Sequence, residues 1–550
     1  MTNLLRFLRP SHQHTAFSAT LLLMGTVAAS RAIGYVREAY IAFAFGAGAQ
    51  TDAYVAAFTL PDFLNYIVAG GAASITFISI YTRFLAEKRD ADAQKTFSII
   101  ITVMTAVMIV GTILTEIYAP GFVRWFVGPG AGGKGFSPDK IDLCVHLTRI
   151  LLPAQIFFYV GGVVSAVLLS HRLFLFPAFG PLIYNVFIIL GGVVGGRHFG
   201  IASLAYGALA GSFVGPFLAS VIGAARIGTG YRPSFDVRNP AFLEWVRLSL
   251  PLMIGVSLVT ADDWILRHYA ASGVGDISRL NFAKRLFAVP IAVLGQATGQ
   301  ASLPFFARLF NEKRHEEFAR TVNDSVYRVS AVSLLATGWM MVAALPLIDL
   351  VYRRGKFPFA DAQVSAVYFF WFSLSLVLWS AQGLYARAFY AAGDTFTPMA
   401  AVTVITAASL PVYSILFHTF GVVGLAWASD IGIGVNLVAL ACLLHWRKLV
   451  RLGDLRWDEL GKAALTAAVA GGISFEVAKI VPLATSGRGS RVADLVQLAL
   501  VSVTWAAAVA AGLWLLRSEL PQDLRRRKGA VYPAVAQGES REILGSGREP

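Results

Sequence analysis

Charge is scarce in this sequence. Only 14% of its residues are Asp, Glu, Lys or Arg, against about 25% in a typical soluble domain. With 56% hydrophobic residues and a mean hydropathy of +0.63, a soluble chain would lack the polar surface to cover its core. An ordinary soluble enzyme, a disordered chain and a collagen-like chain are excluded, which leaves a polytopic membrane protein. Cysteine is nearly absent. Cys144 and Cys442 lie far apart in apolar runs, so there is no disulfide framework and no metal-ligand spacing; both read as small core residues. Acidic residues are outnumbered, 32 against 46 basic. Basic loops that orient membrane helices explain this excess better than a nucleic-acid partner does, and no nucleic acid is expected.

Motifs for nucleotide, metal or covalent chemistry are incomplete. Gly128-Pro129-Gly130-Ala131-Gly132-Gly133-Lys134 is followed by Gly135, so the magnesium-binding Ser or Thr of a phosphate loop is missing, and no strand precedes it. His315-Glu316-Glu317 lacks the second His of a zinc protease helix. Asp90-Ala91-Asp92 reads as an acidic helix start, not as the carboxylate pair of a glycosyltransferase. No Ser/His/Asp grouping stands out. The expectation is a transporter with no catalytic residue, cofactor or metal.

What the sequence has is long apolar runs. At roughly 20 residues per span, fourteen helices are placed near 16–44, 51–82, 96–118, 141–169, 174–196, 200–225, 241–270, 277–309, 322–352, 362–391, 397–418, 420–446, 460–482 and 493–517. The runs are continuous, without the alternation of a barrel. Arg6 and Arg9 ahead of an apolar run resemble a signal peptide, but the pattern continues past Arg31, so the segment is read as a retained first helix. With the N-terminus inside, one set of loops holds Arg83, Lys88, Arg89 and Lys95, then Arg226, Arg232 and Arg238. It continues with Arg308, Lys313 and Arg314, then Arg447, Lys448, Arg451 and Arg456. The opposite loops hold fewer: Arg124, Lys134, Lys140, Arg197, the cluster Arg353, Arg354 and Lys356, and Arg488. This asymmetry puts both termini in the cytoplasm.

The chain repeats itself. Phe199-Gly200-Ile201-Ala202-Ser203-Leu204-Ala205-Tyr206 parallels Phe420-Gly421-Val422-Val423-Gly424-Leu425-Ala426-Trp427, 221 residues apart, and Pro177 pairs with Pro398 at the same offset. A second echo joins Phe58–Pro61 to Phe287–Pro290. An even number of helices per copy makes the copies parallel, as in transporters built from two lobes. The expected division is an N-terminal lobe at 1–230, a C-terminal lobe at 231–455, two additional helices at 456–520 and a disordered cytoplasmic tail at 521–550.

Ionisable groups inside apolar spans cost roughly 2.5–3.5 kcal/mol each at mid-bilayer on insertion scales, so they face a cavity or a partner. The first helix carries Arg31, Arg37 and Glu38 around Gly34; Asp52 opens the second; Asn65 lies further along it. Asp262 and Asp263 lie in the seventh helix, Lys284 and Arg285 in the eighth, Arg387 in the tenth. Arg31 and Glu38, seven apart, share a helix face; Arg37 reaches that face only if the helix bends at Gly34. Asp52, Arg267 and Arg279, near span ends, read as structural pairs. Arg31, Arg37 and Arg285 read as a converging site for an anionic headgroup, because guanidinium grips phosphate with a bidentate fork.

These residues sit in a longer pattern. Ser30-Arg31-Ala32-Ile33-Gly34-Tyr35-Val36-Arg37-Glu38 is followed by Phe45-Gly46-Ala47-Gly48, Thr51-Asp52-Ala53-Tyr54 and Leu60-Pro61. Further on stand Pro177-Ala178-Phe179-Gly180-Pro181 with Asn185, and Ala283-Lys284-Arg285-Leu286 with Pro290. Then come Arg354-Gly355-Lys356-Phe357, and Arg387-Ala388-Phe389-Tyr390-Ala391 with Asp394-Thr395 and Thr397-Pro398. Over roughly residues 15–520 this order resembles the MurJ (MviN) lipid II flippase family of the MOP superfamily. The resemblance implies fourteen helices in two lobes around a cationic cavity in the bacterial inner membrane. It implies that lipid II, the undecaprenyl-diphosphate-linked peptidoglycan precursor, moves from inner to outer leaflet by alternating access, in service of cell-wall biogenesis and cell shape. Arg31, Arg37 and Arg285 fall on cavity arginines of the family, and Glu38 on an acidic position; the last two helices resemble those forming a groove for the lipid tail. The implied partners are the lipid-linked anionic substrate and membrane lipids, with the protein a monomer working beside the cell-wall synthesis machinery.

Two departures stand out. Asn65 occupies a position where many relatives carry arginine, and Gly70 one where glutamate is frequent. Asn65, Asp52 and Glu38 complete the expected substrate-binding set with the three arginines. Some relatives bind sodium between helices seven, eleven and twelve; Asp262 and Asp263 lie in the right region, but helix eleven has no acidic residue, and no sodium site is assigned. The competing readings are a flippase for another polyprenyl-linked oligosaccharide, a cation-coupled exporter, and a membrane-embedded glycosyl- or acyltransferase. A cationic-drug exporter would want a carboxylate-dominated cavity, and a transferase would want a catalytic constellation.

Overall fold

The structure is a computed structural model that describes residues 16–69, 72–129, 135–171, 173–254, 258–480 and 490–525. Helix α1 spans Ala16–Phe45. The second expected span is broken into α2 (Ala49–Ala57), α3 (Thr59–Ala69) and α4 (Ala72–Ala86). Then come α5 (Asp90–Val127), α6 (Pro138–Leu151), α7 (Ala154–Ser170), α8 (Leu175–Phe199), α9 (Ala202–Ser212) and α10 (Ser220–Arg226). Next are α11 (Pro240–Ile254), α12 (Leu258–Ala270), α13 (Asp276–Pro290), α14 (Thr298–Asn311), α15 (His315–Val342) and α16 (Ala344–Tyr352). The last are α17 (Phe359–Ala391), α18 (Phe396–Phe420), α19 (Val422–Trp446), α20 (Trp457–Ala478), α21 (Ser490–Leu515) and α22 (Leu520–Arg525). Two π-helical stretches, Phe213–Ala219 and Ile291–Ala297, join α9 to α10 and α13 to α14.

Eleven helical stretches among the described residues are long and apolar enough to cross a membrane. The other three expected spans are α1, the broken α2–α4 and the pair α11–α12, which carry Arg31, Arg37, Glu38, Asp52, Asp62, Asp262, Asp263 and Arg267. Helices α2, α3, α4, α11 and α12 are each only 9 to 15 residues long, and α1, α2, α3 and α12 supply walls of the site below. The outer face of α5 leaves Val107, Val110, Ile113, Leu114 and Ile117 exposed, a surface suited to lipid rather than water. Cys144 is buried, whereas Cys442 is exposed on α19, so only the first is a core residue. Asp90 and Asp92 stand in the first turn of α5, as an acidic helix start should. The glycine run continues into residues 130–134, outside the described ones, and a helix, not a strand, precedes it.

The repeat is visible in local geometry. Helices α8 and α18 are both 25 residues long. Each ends on Phe and is followed by a glycine with positive φ, Gly200 at 54° and Gly421 at 63°, the conformation that lets the chain leave a helix at no Cβ cost. The second echo marks interruptions: Phe58 separates α2 from α3, and Pro290 precedes a π-helical stretch.

Packing groups the chain into two compact units. The first runs to Ala288 and adds Leu347–Phe372 and Met399–Gly432; the second holds Val289–Pro346, Ser373–Pro398 and the chain from Ile433 onward. The first unit buries an aromatic core in which Phe77 and Tyr81 of α4 meet Phe97 of α5 and Trp245 of α11. It also contains an interlock between two glycine turns. The Lys356 N–H donates to the Phe43 carbonyl at 2.9 Å. A Cβ on Gly46 (φ +73°) would lie 2.3 Å from the Lys356 carbonyl oxygen, and one on Gly355 (φ +57°) 2.2 Å from that of Phe43. Both turns need a left-handed residue and a bare Cα. Gly355→Ala is expected to cost about 2–4 kcal/mol from strain and overlap, read as a lower unfolding temperature in detergent; an unchanged temperature would refute the interlock.

In the second unit, α20 packs against α15 and α21, and α22 is pinned beside them. Arg456 donates to Asp523 at 2.7 Å and to Glu519 at 2.8 Å, while the Ser518 hydroxyl donates to Glu459 at 2.6 Å. Leu520 is buried. The expected tail from 521 therefore begins with five residues of packed helix; residues 526–550 lie outside the described ones. Truncation after Lys528 is expected to leave folding and activity intact. Truncation after Arg517 should cost about 1–3 kcal/mol, because it strands Arg456 and Glu459 without these partners. Thermal unfolding of the two truncated proteins separates the cases, and equal unfolding temperatures would show that α22 adds nothing.

Candidate functional site

The first unit holds a cleft of about 230 Å³. Its walls come from α1, α2, α3, α8, α12 and α13, and its charged residues are Arg37, Glu38, Asp62, Arg267 and Arg285. Three guanidinium groups thus face two carboxylates, one positive charge in excess. Tyr54 and Tyr184 supply aromatic wall.

Helix α1 runs through Gly34 without a break, so the expected bend is not what brings Arg37 in. The long guanidinium does it by reach. Arg37 pairs with Glu38 and donates from Nη1 to the Asn185 amide oxygen of α8 at 2.8 Å. Asn185 donates in turn to the Pro181 carbonyl at 2.9 Å, which fixes its orientation. Among the described residues, the buried Arg37 Nε has no hydrogen-bond partner. Glu38 also meets Arg285 of α13 at 3.9 Å and accepts from Asn281 at 3.4 Å. Arg285 is the loosest of the group, with 51% of its side chain exposed. One carboxylate therefore holds two arginines from different helices, and an oxygen-rich anion could take its place.

The other expected site residues lie elsewhere. Arg31 is exposed and does not line the cleft. Asp52 is fully buried and off the cleft wall. It accepts from the Lys140 ammonium at 3.0 Å, the Gly275 N–H at 2.6 Å and the Ser278 N–H at 2.9 Å, so it clamps α2 to α6 and α13. Asn65 donates to the Gln155 side chain of α7 at 2.6 Å and is also off the wall. Gly70 lies outside the described residues.

Lys284, beside Arg285 in the sequence, is paired away from the cleft. Its ammonium sits between Asp262 and Asp263, and Asp262 also accepts from the Tyr413 hydroxyl. A tethered ammonium thus occupies the carboxylates that had been considered for sodium. Among the described residues no group of three or more His, Cys, Asp or Glu could hold a metal ion. Arg279 bridges Asp276 at 3.0 Å and Asp361 at 2.7 Å, a structural pair as expected. Arg267 and Asp62 are what sequence reasoning missed. Arg267 was read as a span-end residue; it in fact lines the cleft. The available signal was a pair of opposite charges, Asp62 in the second expected span and Arg267 in the seventh, each of which carries a cost unless it meets a partner.

The family model described as "Lipid II flippase MurJ" matches residues 41–485. A protein of Burkholderia cenocepacia called "Lipid II flippase MurJ" is 28% identical over 443 residues, covering 78% of this chain and 84% of that one. A solved structure described as "Lipid II flippase MurJ, inward closed conformation" superposes with a TM-score of 0.73 at 20% identity, over 90% of this chain and all of that one. A multidrug resistance MATE transporter of the MOP superfamily, in an inward-facing conformation, gives a TM-score of 0.61 at 15% identity, over 79% of this chain and 99% of that one.

Proposed function

The chain belongs to the lipid II flippase MurJ family, and from that premise we propose that its cleft holds the diphosphate of lipid II during transport. The protein is a multi-pass membrane transporter of peptidoglycan synthesis, not an enzyme. The observation that carries the headgroup assignment is the set Arg37, Arg267 and Arg285 around a shared cleft. A diphosphate presents several anionic oxygens, and guanidinium groups match them with paired donors. Glu38, held by both Arg37 and Arg285, marks where an anion fits. The excess of arginine over carboxylate argues against a carrier for cationic drugs.

The proposed cycle is alternating access between a lobe at 1–230 and a lobe at 231–455, with both termini cytoplasmic and the polyprenyl tail left in lipid beside α20 and α21. The membrane potential resets a site that carries excess positive charge, since one charge crossing it is worth about 2.3 kcal/mol per 100 mV. Arg31, exposed on α1, meets the headgroup at the rim, and Asn65 and Asp52 order the walls. The working unit is a monomer beside the cell-wall synthesis machinery of the bacterial inner membrane. Depleting the protein in living cells tests the assignment: lipid II should accumulate in the inner leaflet. Normal arrival of lipid II in the outer leaflet would overturn it.

A further inference from the structure

We infer that Arg267 is a third anion contact of the cleft and that Asp62 is its built-in counter-ion, displaced when a lipid-linked diphosphate enters. This rests on the headgroup reading above and adds a binding residue and an internal competitor to it. Arg267 projects from α12 to α3, where Nη1 donates to the Thr59 hydroxyl at 3.1 Å and to Asp62 at 3.3 Å. A guanidinium carries five N–H donors, and both of these bonds leave from one nitrogen. Only 10% of the Arg267 side chain is exposed, against 43% of Asp62. The cation is fixed and its partner is not, so Asp62 can turn toward water at little cost while Arg267 stays. Arg267 also lines a small neighbouring pocket of about 30 Å³ that shares Val55 and Asn281 with the main cleft. Arg267 lines the main cleft together with Arg37 and Arg285, so a headgroup with two phosphates can bridge the three. Helix α3 offers the cleft a carboxylate and no cation of its own; Arg267, reaching across from α12, supplies that side with its positive charge.

The pair behaves as a competitor to the ligand. A single carboxylate offers less charge and fewer acceptors than a diphosphate, so the ligand wins the exchange, and removing the carboxylate removes the competition. The test is binding of undecaprenyl diphosphate to the purified full chain in detergent. Arg267→Gln should weaken binding at least tenfold, with Arg267→Lys intermediate because the charge remains and the fork is lost. Asp62→Asn should tighten binding several-fold, and should do nothing when combined with Arg267→Gln, since the two residues act as one unit. Arg37→Gln serves as the reference loss. If Arg37→Gln weakens binding while Arg267→Gln and Asp62→Asn leave it unchanged, the role of Arg267 is overturned and the cleft assignment stands. If none of the variants changes binding, the cleft assignment itself is overturned. Should Arg267→Gln fail to fold, Asp62→Asn decides alone, because it removes only a half-exposed charge; unchanged affinity there overturns the inference.

Discussion

Arg285→Ala is expected to abolish complementation of a strain depleted of the native protein while reaching the membrane at the wild-type level. Two observations separate Arg285 from the other cleft arginines. Its side chain is half exposed, and its ion pair with Glu38 is long, at 3.9 Å. Losing it costs the fold little, because weak, half-solvated pairs contribute about 0–1 kcal/mol. Losing it costs the ligand a charge-assisted contact, about 1.5–3 kcal/mol, or roughly ten- to a hundredfold in headgroup affinity. Lysine should rescue in part. Arg37→Ala is a different case. Its partner Glu38 is 5% exposed, so removing the guanidinium takes the closest partner from a buried carboxylate and leaves it only Asn281 at 3.4 Å and Arg285 at 3.9 Å, a loss of about 1–3 kcal/mol. Lower expression is expected there together with lost transport. In the fold, Glu38 lies against Arg37 and Arg285, and Asp62 against Arg267. Full complementation by Arg285→Ala at normal expression would remove the headgroup role of this residue.

Asp52→Ala is expected to prevent accumulation of folded protein. Its carboxylate accepts from Lys140, Gly275 and Ser278 with no exposure to solvent. Those donors belong to α6 and to the segment entering α13, so one side chain joins parts of the chain 88 and more residues apart. The substitution leaves a buried ammonium and two buried N–H groups without an acceptor. Each orphaned N–H costs about 1–3 kcal/mol and the unpaired ammonium more, so the sum approaches the whole stability of a typical domain. Lys140→Met should be milder, since the backbone donors to Asp52 remain. The readout is the monodisperse fraction after detergent extraction. A folded but inactive Asp52→Ala protein would instead place this carboxylate in substrate handling.

The membrane class, the long spans and the repeat were legible because they rest on composition and on periodic signals. Hydropathy marks a run such as α5 directly, and Phe199-Gly200 against Phe420-Gly421 is a stop signal that the backbone then uses at positive φ. Pairing across the fold was not legible. Nothing local tells that Lys284 meets Asp262 and Asp263 rather than the cleft, or that Asp52 meets Lys140. Arg31 and Glu38 share a helix face by count, yet Arg37 and Glu38 line the cleft. A side chain as long as arginine crosses the angle that helical geometry assigns to its Cβ. Asn65 was singled out by what it replaces in relatives; its neighbour Gln155 accounts for it here.

The most direct measurement is lipid II translocation by the purified full chain in proteoliposomes, with wild type and the Arg37→Gln/Arg285→Ala double variant reconstituted at equal amounts of folded, monodisperse protein. The expected result is outward movement of lipid II by the wild type and a rate at the protein-free background for the double variant. Equal rates for the two proteins would contradict a guanidinium-lined cleft as the carrier of the headgroup.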